Sequence, residues 1–346
     1  MPLFLALLWS VTAQDPILRK RAFAGLRRFQ EATRTPENEP RQVVVSHDRA
    51  RLLTHERYGK AERTGPPVVL VPSLINPPDV MDLTPRRSLL RHLLREGHDA
   101  YLLDWGEPSA ADRDSDLAHH VESLLLPALA HFSRPPILIG YCLGGTLAIG
   151  AAARLAAQGV PACAVASIAA PWDFAQYDAA FRAQIDAVWT QSRPSCEALG
   201  LVPMEVLQSG FWSLDPERTI GKYADFLDME EGSLAWRGFI TLEDWANEGA
   251  PLTLGCGRDV IERCYGENRP GRGEWTIGDT HVDAAALACP TLAIASTSDA
   301  IVPAASTPPA DTRIDLALGH VGMMIGSRAE EMLWTPLSAW IAGIDG

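Results

Sequence analysis

The chain has 346 residues, 47% of them hydrophobic, and a formal net charge of −13 with a pI near 5.1. That length and apolar content allow a large buried core, and the acidity excludes general binding to nucleic acid, whose phosphates would be repelled. The six cysteines (Cys142, Cys163, Cys196, Cys256, Cys264, Cys289) include no CxxC pair and no His/Cys cluster at metal-ligand spacing, which suits a reducing cytoplasm and argues for no metal.

The first thirty residues read as two helical pieces separated by Asp15-Pro16, proline suiting a first helical turn. Residues 2–11 have the apolar run of a signal segment followed by Val11-Thr12-Ala13, but no basic residue stands in front of it, and the reading is a cytoplasmic chain. The second piece, residues 17–29, is basic on one side and apolar on another in an otherwise acidic protein. Such a helix docks on a partner or an apolar surface, or packs on its own domain with solvated arginines. A Pro-rich stretch at 35–40 ends this region, and alternating runs at 42–47 and 50–58 around Asp48-Arg49 predict an antiparallel hairpin. Val68-Val69-Leu70-Val71-Pro72 is a buried strand. Thr84-Pro85, then Leu89, Leu90, Leu93 and Leu94 with Gly97 behind them, predict a helix with Thr84 as N-cap. Residues 100–105 give the next strand, and a helix over 116–131 bends at Pro127.

Residues 136–150 are the stretch the rest serves: an apolar run with strand character, a glycine-rich turn, and an Ala-rich helix whose first charge is Arg154. The uncharged run 136–153 is not read as a membrane span, because the turn in its middle would break the helix. Gly140-x-Cys142-x-Gly144 has the form of a nucleophile elbow with cysteine in place of serine, the thiol at the apex and at a helix N-terminus whose unpaired N–H groups favour negative charge. A buried cysteine in a turn that does no chemistry would look the same, so partners elsewhere must decide. Residues 163–169 are a further strand, and strand alternating with helix at this spacing implies a mostly parallel sheet. Over 171–283 the alternation stops; Trp172, Trp189, Trp212, Trp236 and Trp245, with Trp275 near the end, suggest an inserted cap. The pattern resumes with a strand at 288–296, a second at 313–318 and a closing helix over 329–341. The expected organisation is an N-terminal helical segment (1–40), a first core part (41–170), the cap (171–283) and a second core part (284–346).

In a nucleophile-elbow fold the acid and base follow the nucleophile in chain order, each on a loop after a later strand. Asp299 and His320 stand where that order requires; His281 is a rival base but precedes the strand leading to Asp299. His320 would take the thiol proton, and Asp299 would orient the ring. The oxyanion needs two donors: the N–H of Leu143, and a second from the loop at Leu74 and Ile75.

These motifs resemble those of polyhydroxyalkanoate synthase catalytic subunits, closest to the short class III type, within the α/β-hydrolase superfamily. The matching stretches are Val71-Pro72-Ser73-Leu74-Ile75-Asn76, Met81-Asp82-Leu83-Thr84-Pro85, Leu103-Asp104-Trp105-Gly106, Gly140-Tyr141-Cys142-Leu143-Gly144-Gly145, Asp299 to Pro303, and Gly319-His320-Val321-Gly322. The resemblance covers about residues 40–340 and implies an α/β-hydrolase fold, a mostly parallel twisted sheet with helices on both faces and an inserted cap. It implies a Cys142–His320–Asp299 triad that moves a 3-hydroxyacyl group from coenzyme A to the cysteine and then to a growing polyester. Asn76 and Asp82 match the loop near the oxyanion site and are read as ordering it. No cofactor is implied, since acyl-coenzyme A is a substrate; the implied partners are the polyester chain, a second synthase subunit or a homodimer, and the polyester granule surface. Two departures stand out: Ala300 replaces the histidine common after the triad Asp, and the cap matches only in patches such as Leu242 to Trp245 and Asn268. Arg86, Arg87 and Arg91 are candidates for coenzyme A phosphates. The alternatives are a cysteine hydrolase of the dienelactone type, which shares the elbow but is shorter and lacks the Asp-Trp-Gly and Ile-Asn stretches, and a non-catalytic granule scaffold.

Overall fold

Eight strands form one sheet: β1 (Gln42–His47), β2 (Ala50–Thr54), β3 (Pro67–Val71), β4 (Asp99–Asp104), β5 (Ile137–Tyr141), β6 (Ala164–Ile168), β7 (Thr291–Ser296) and β8 (Thr312–Leu316), in the order β1-β2-β4-β3-β5-β6-β7-β8. β2 pairs antiparallel with both β1 and β4; every other pairing is parallel. β3, β5, β6 and β7 are buried along their whole length, which explains why they read as unbroken apolar runs: layers cover both faces. The computed structural model describes residues 2–34, 38–58 and 65–344, so part of the Pro-rich stretch, residues 35–37, lies outside the described residues. The labelled helices are α1 (Pro2–Val11), α2 (Pro16–Glu31), α3 (Leu89–Glu96), α4 (Leu143–Ala157), α5 (Ala179–Leu199), α6 (Met204–Trp212), α7 (Pro216–Phe226), α8 (Leu234–Asn247), α9 (His320–Ile325) and α10 (Thr335–Ala342). Among the described residues no helix is long and apolar enough to cross a membrane.

The chain folds as two compact units. The larger contains residues 38–202 and 250–346; the smaller contains residues 1–37 and 203–249. The 171–283 segment is therefore divided, its middle joining the N-terminal helices and its two ends staying with the sheet. Within the larger unit, Leu201–Val202 pairs antiparallel with Leu252–Thr253 where the chain leaves and returns.

In the smaller unit α2 turns its apolar side inward, so that Ala22, Leu26 and Phe29 join Ile220, Tyr223, Phe226, Trp236 and Ile240 in one core with Phe4 and Leu8 of α1. Its arginines serve the same packing. Arg21 Nη2 donates to the Ala224 carbonyl at 3.0 Å and Arg28 Nη1 to those of Phe226 and Leu227 at 3.2 and 2.5 Å, so cations meet the carbonyls at the end of α7. α2 and α7 touch through Gly25, where a Cβ would lie 1.7 Å from the Tyr223 carbonyl oxygen. Gly25→Ala is expected to destabilise this unit by about 1–3 kcal/mol through overpacking. A thermal melt with an unchanged midpoint would refute that crossing.

One helix boundary differs from the sequence expectation. α3 is capped by Ser88, whose Oγ accepts from Arg91 N at 2.9 Å, and not by Thr84. Residues 82–88 instead form a small hairpin in which Thr84 Oγ1 accepts from Arg87 N at 3.1 Å. The cause is tertiary: the hairpin places Asp82 against Arg91, Arg41 and His55, and that buried pairing outweighs the local preference for Thr-Pro at a helix start.

Candidate active site

The segments that follow the C-terminal ends of parallel strands carry Cys142, Asp299, His320 and the 73–76 loop, as an open parallel sheet favours. β5 ends at Tyr141, and Cys142 takes φ 55° and ψ −132° before α4 begins at Leu143. That backbone state is unusual for a residue with a side chain and costs about 1–3 kcal/mol. The turn is held by Cys142 N donating to the Ile168 carbonyl at 2.9 Å and Gly145 N to the Cys142 carbonyl at 2.8 Å. Gly144 must be glycine, because a Cβ there would lie 2.1 Å from the Val71 carbonyl oxygen and 2.5 Å from that of Pro72. The elbow thus sits directly against the end of β3, whose loop runs on through Ser73, Leu74, Ile75 and Asn76.

The Asp-Trp-Gly stretch holds that same junction. Trp105 Nε1 donates to the Pro72 carbonyl at 3.0 Å, and the Asp104 carboxylate accepts from Gly106 N at 2.9 Å and pairs with Arg51 at 2.5 Å. The motif was visible in the sequence; that its indole pins the strand end beneath the elbow was not.

His320 opens α9 after Gly319, and its Nδ1 lies 2.6 Å from Asp299 Oδ2. The other carboxylate oxygen, Asp299 Oδ1, accepts from Ile301 N at 2.7 Å and Val302 N at 3.1 Å, which fixes the acid in place. Burial alone would lower the His320 pKa, but the Cys142 charge and sulfur and the Asp299 carboxylate more than reverse this, and it is pushed up to about 10. Cys142, His320 and Asp299 are thereby brought into one electrostatic group. His281, the rival base, lies exposed in the small hairpin of Thr276–Ile277 and Thr280–His281. Tyr141 was not anticipated: its hydroxyl donates to the His320 carbonyl at 3.2 Å, and its ring lies 5.0 Å from the imidazole, tilted by 34°. Nothing local marks this residue, since the contact spans 179 positions.

Of the loop residues, Leu143 is the first residue of α4, so its N–H has no intrahelical acceptor. Ile75 N donates to Ser73 Oγ at 3.3 Å, and Leu74 between them is buried. Asp82 Oδ1 accepts from Arg91 Nε at 2.8 Å; its Oδ2 meets Arg41 Nε at 2.7 Å and His55 Nε2 at 2.8 Å. Arg91 is fully buried in that pairing, which removes it from the candidates for solvent-facing phosphate binding. Asn268, with φ 55°, accepts from Phe174 N at 2.7 Å and donates to Asp173 Oδ1 at 2.7 Å, tying the turn after Tyr265 to the segment that follows β6. A cleft of about 670 Å³, lined in part by Trp172, Asp173, Arg272 and Arg313, has none of Cys142, Asp299 or His320 in its walls.

No family model matches the chain. It is similar to the poly(3-hydroxyalkanoate) polymerase subunit PhaC of Haloferax mediterranei, 29% identical over 88% of this chain and 64% of that one. It is likewise similar to those of Allochromatium vinosum (26%, 87% and 88%) and Synechocystis sp. (28%, 88% and 84%). The chain therefore spans just under two thirds of the length of the Haloferax relative. Among solved structures, epoxide hydrolase A of Mycobacterium thermoresistibile (17% identity, TM-score 0.53, 89% of this chain and 99% of that one) shares the fold. So does a bromoperoxidase of Bacillus anthracis (16%, 0.51, 85% and 96%).

Proposed function

We propose that this chain, a relative of the poly(3-hydroxyalkanoate) polymerase subunits within the α/β-hydrolase superfamily, is an acyltransferase that carries a 3-hydroxyacyl group on Cys142 between coenzyme A and a growing polyester. One observation carries the reading: a chain similar to those polymerase subunits along nearly nine tenths of its length holds a cysteine at the elbow with a His320–Asp299 pair beside it. His320 takes the thiol proton; the thiolate attacks the thioester carbonyl, and coenzyme A leaves as its thiol with the proton from the imidazolium. In the second step a chain-end hydroxyl gives its proton to His320 and attacks the acyl-Cys142 thioester, forming the ester and restoring the thiolate–imidazolium pair. Asp299 holds the ring in orientation throughout. The oxyanion is met by Leu143 N–H and, because Ile75 N–H is engaged by Ser73, by Leu74 N–H in preference. Asn76 and Asp82 order the loop that presents Leu74. The reaction as written needs no metal or bound cofactor, acyl-coenzyme A being the substrate. A second synthase subunit, a second copy of this chain and the polyester granule surface are the partners that follow from the reading, with a cytoplasmic or granule-associated location.

The thioester exchange is nearly balanced, so acyl-Cys142 can persist until an alcohol arrives if water is kept away. With (R)-3-hydroxybutyryl-coenzyme A, the expected products are free coenzyme A and acyl groups retained on the protein or in oligomers. Stoichiometric free 3-hydroxybutyrate from the first turnovers, with no oligomer, would replace this reading with a cysteine hydrolase. Absence of any turnover would favour a non-catalytic scaffold.

A further inference from the structure

The peptide that carries the second oxyanion donor is bracketed by two hydrogen bonds. On its N-terminal side the Pro72 carbonyl accepts from Trp105 Nε1 at 3.0 Å, and on its C-terminal side Ile75 N donates to Ser73 Oγ at 3.3 Å. Leu74 N–H lies between them, in a buried residue, with no acceptor among the described residues. The Pro72 carbonyl also faces the elbow, since a Cβ at Gly144 would lie 2.5 Å from its oxygen. The Pro72–Ser73 peptide is trans, so Ser73 N–H points the opposite way and does not serve the oxyanion. That leaves Leu74 N–H, whose direction depends on how the Pro72 carbonyl is held.

Trp105 is itself held from behind. It is buried, and its own carbonyl accepts from Arg49 Nη1 at 2.6 Å. Arg49 Nη2 donates to His120 Nε2 at 2.8 Å, and His120 Nδ1 donates to the Asp116 carbonyl at 2.7 Å, an arrangement that selects the tautomer. Burial pushes the His120 pKa down to about 4, so the ring stays neutral and can accept from the guanidinium. The same ring meets the Trp105 indole at 5.8 Å and 72°. Gly106 packs so closely on the β1–β2 turn that a Cβ there would lie 2.2 Å from the Arg49 carbonyl oxygen. These contacts hold the indole with its N–H on Pro72.

We propose that Trp105 is a positioning residue for acylation: its indole N–H aims the peptide from which Leu74 N–H meets the oxyanion, and Arg49 and His120 hold the indole. The inference rests on Cys142 as the nucleophile and Leu74 as the donor. Such a donor stabilises charge that develops only on the way to the tetrahedral intermediate, and a small misplacement forfeits much of the effect. Trp105 therefore matters to a step that builds an oxyanion and not to one that needs only the thiolate.

Two reactions of Cys142 separate these steps. p-Nitrophenyl butyrate acylates it through a tetrahedral oxyanion, read as released p-nitrophenolate, whereas iodoacetamide alkylates it by direct displacement of iodide. Trp105→Phe removes the N–H and keeps a ring. It should slow acylation at saturating ester about tenfold or more with KM nearly unchanged, and leave the alkylation rate and its pH profile as in the wild type. Benzothienylalanine at position 105 keeps the indole shape with sulfur in place of N–H; it should give the same split, and it decides the matter if Trp105→Phe does not fold. Equal slowing of both reactions would make Trp105 a support of the elbow itself and overturn the proposal, as would unchanged acylation or a change in KM alone. Acylation that persists in Cys142→Ala is a different failure, because it removes the nucleophile on which the proposal stands.

Discussion

His320→Gln should lower the rate of Cys142 acylation by about three orders of magnitude or more. Glutamine can keep a hydrogen bond to Asp299 but cannot accept and return a proton, so the variant isolates proton transfer from packing. The histidine it replaces is held in a particular state. Burial would lower its pKa from 6.5, yet the Cys142 charge and the Asp299 hydrogen bond bring it to about 10. A group raised in this way contributes stability that is complete below 6.5 and is lost as pH rises through about 10. Cys142→Ala removes the foremost of the raising interactions, so the His320 resonance should titrate lower in that variant; an unchanged titration would mean that the ring does not face the sulfur. Burial also pushes the other five thiols, Cys163, Cys196, Cys256, Cys264 and Cys289, upward, the last to about 11. Iodoacetamide should therefore find Cys142 first, and His281→Gln, on an exposed hairpin, should leave acylation almost unchanged. Full activity in His320→Gln with loss in His281→Gln would move the site.

The elbow and the chain order of its partners were legible because their constraints are local: glycines at close approach, a strand giving way to a helix, an Asp and a His each after a strand. The sheet was legible for the same reason, since strands buried on both faces carry unbroken apolar runs. What could not be read depends on residues far apart. The helix start at Ser88 rather than Thr84 is set by Asp82 meeting Arg41 and His55, 41 and 27 positions away. The grouping of the N-terminal helices with residues 203–249 rests on Gly25 meeting Tyr223, and a helix with one apolar side does not announce which surface will cover it. The tryptophans of 171–283 were conspicuous by composition, yet Trp236 belongs to the core of the smaller unit. Tyr177 lies among the rings of Phe174, Phe181 and Tyr265, which no periodicity singles out.

Asp82→Ala is expected to destabilise the larger unit by about 3–5 kcal/mol, the range for removing one partner of a buried ion pair. The alanine would leave Arg91, with no exposed side-chain surface, and Arg41 facing a site that no longer holds a carboxylate. An apolar replacement of matching size would not help, because the cations stay behind. The pH dependence identifies the cause. Burial would raise the Asp82 pKa, but the hydrogen bond from His55 and the charge of Arg41, with Ser88 behind them, hold it down at about 2. A carboxylate depressed in this way contributes stability that is fully present above its unfolded value near 3.8 and is lost as pH falls toward about 2. Urea melts should therefore show the gap between wild type and Asp82→Ala at neutral pH narrowing as pH falls through that window. The loss should also reach the site, because the turn Pro78–Met81 just before Asp82 packs against α9, the helix that His320 opens, and the loop bearing Leu74 lies between β3 and that turn. Acylation of Cys142 should slow in Asp82→Ala at temperatures where the protein is still folded. A stability gap of the same size at both ends of the pH window would show that the carboxylate at Asp82 is not what holds the loop.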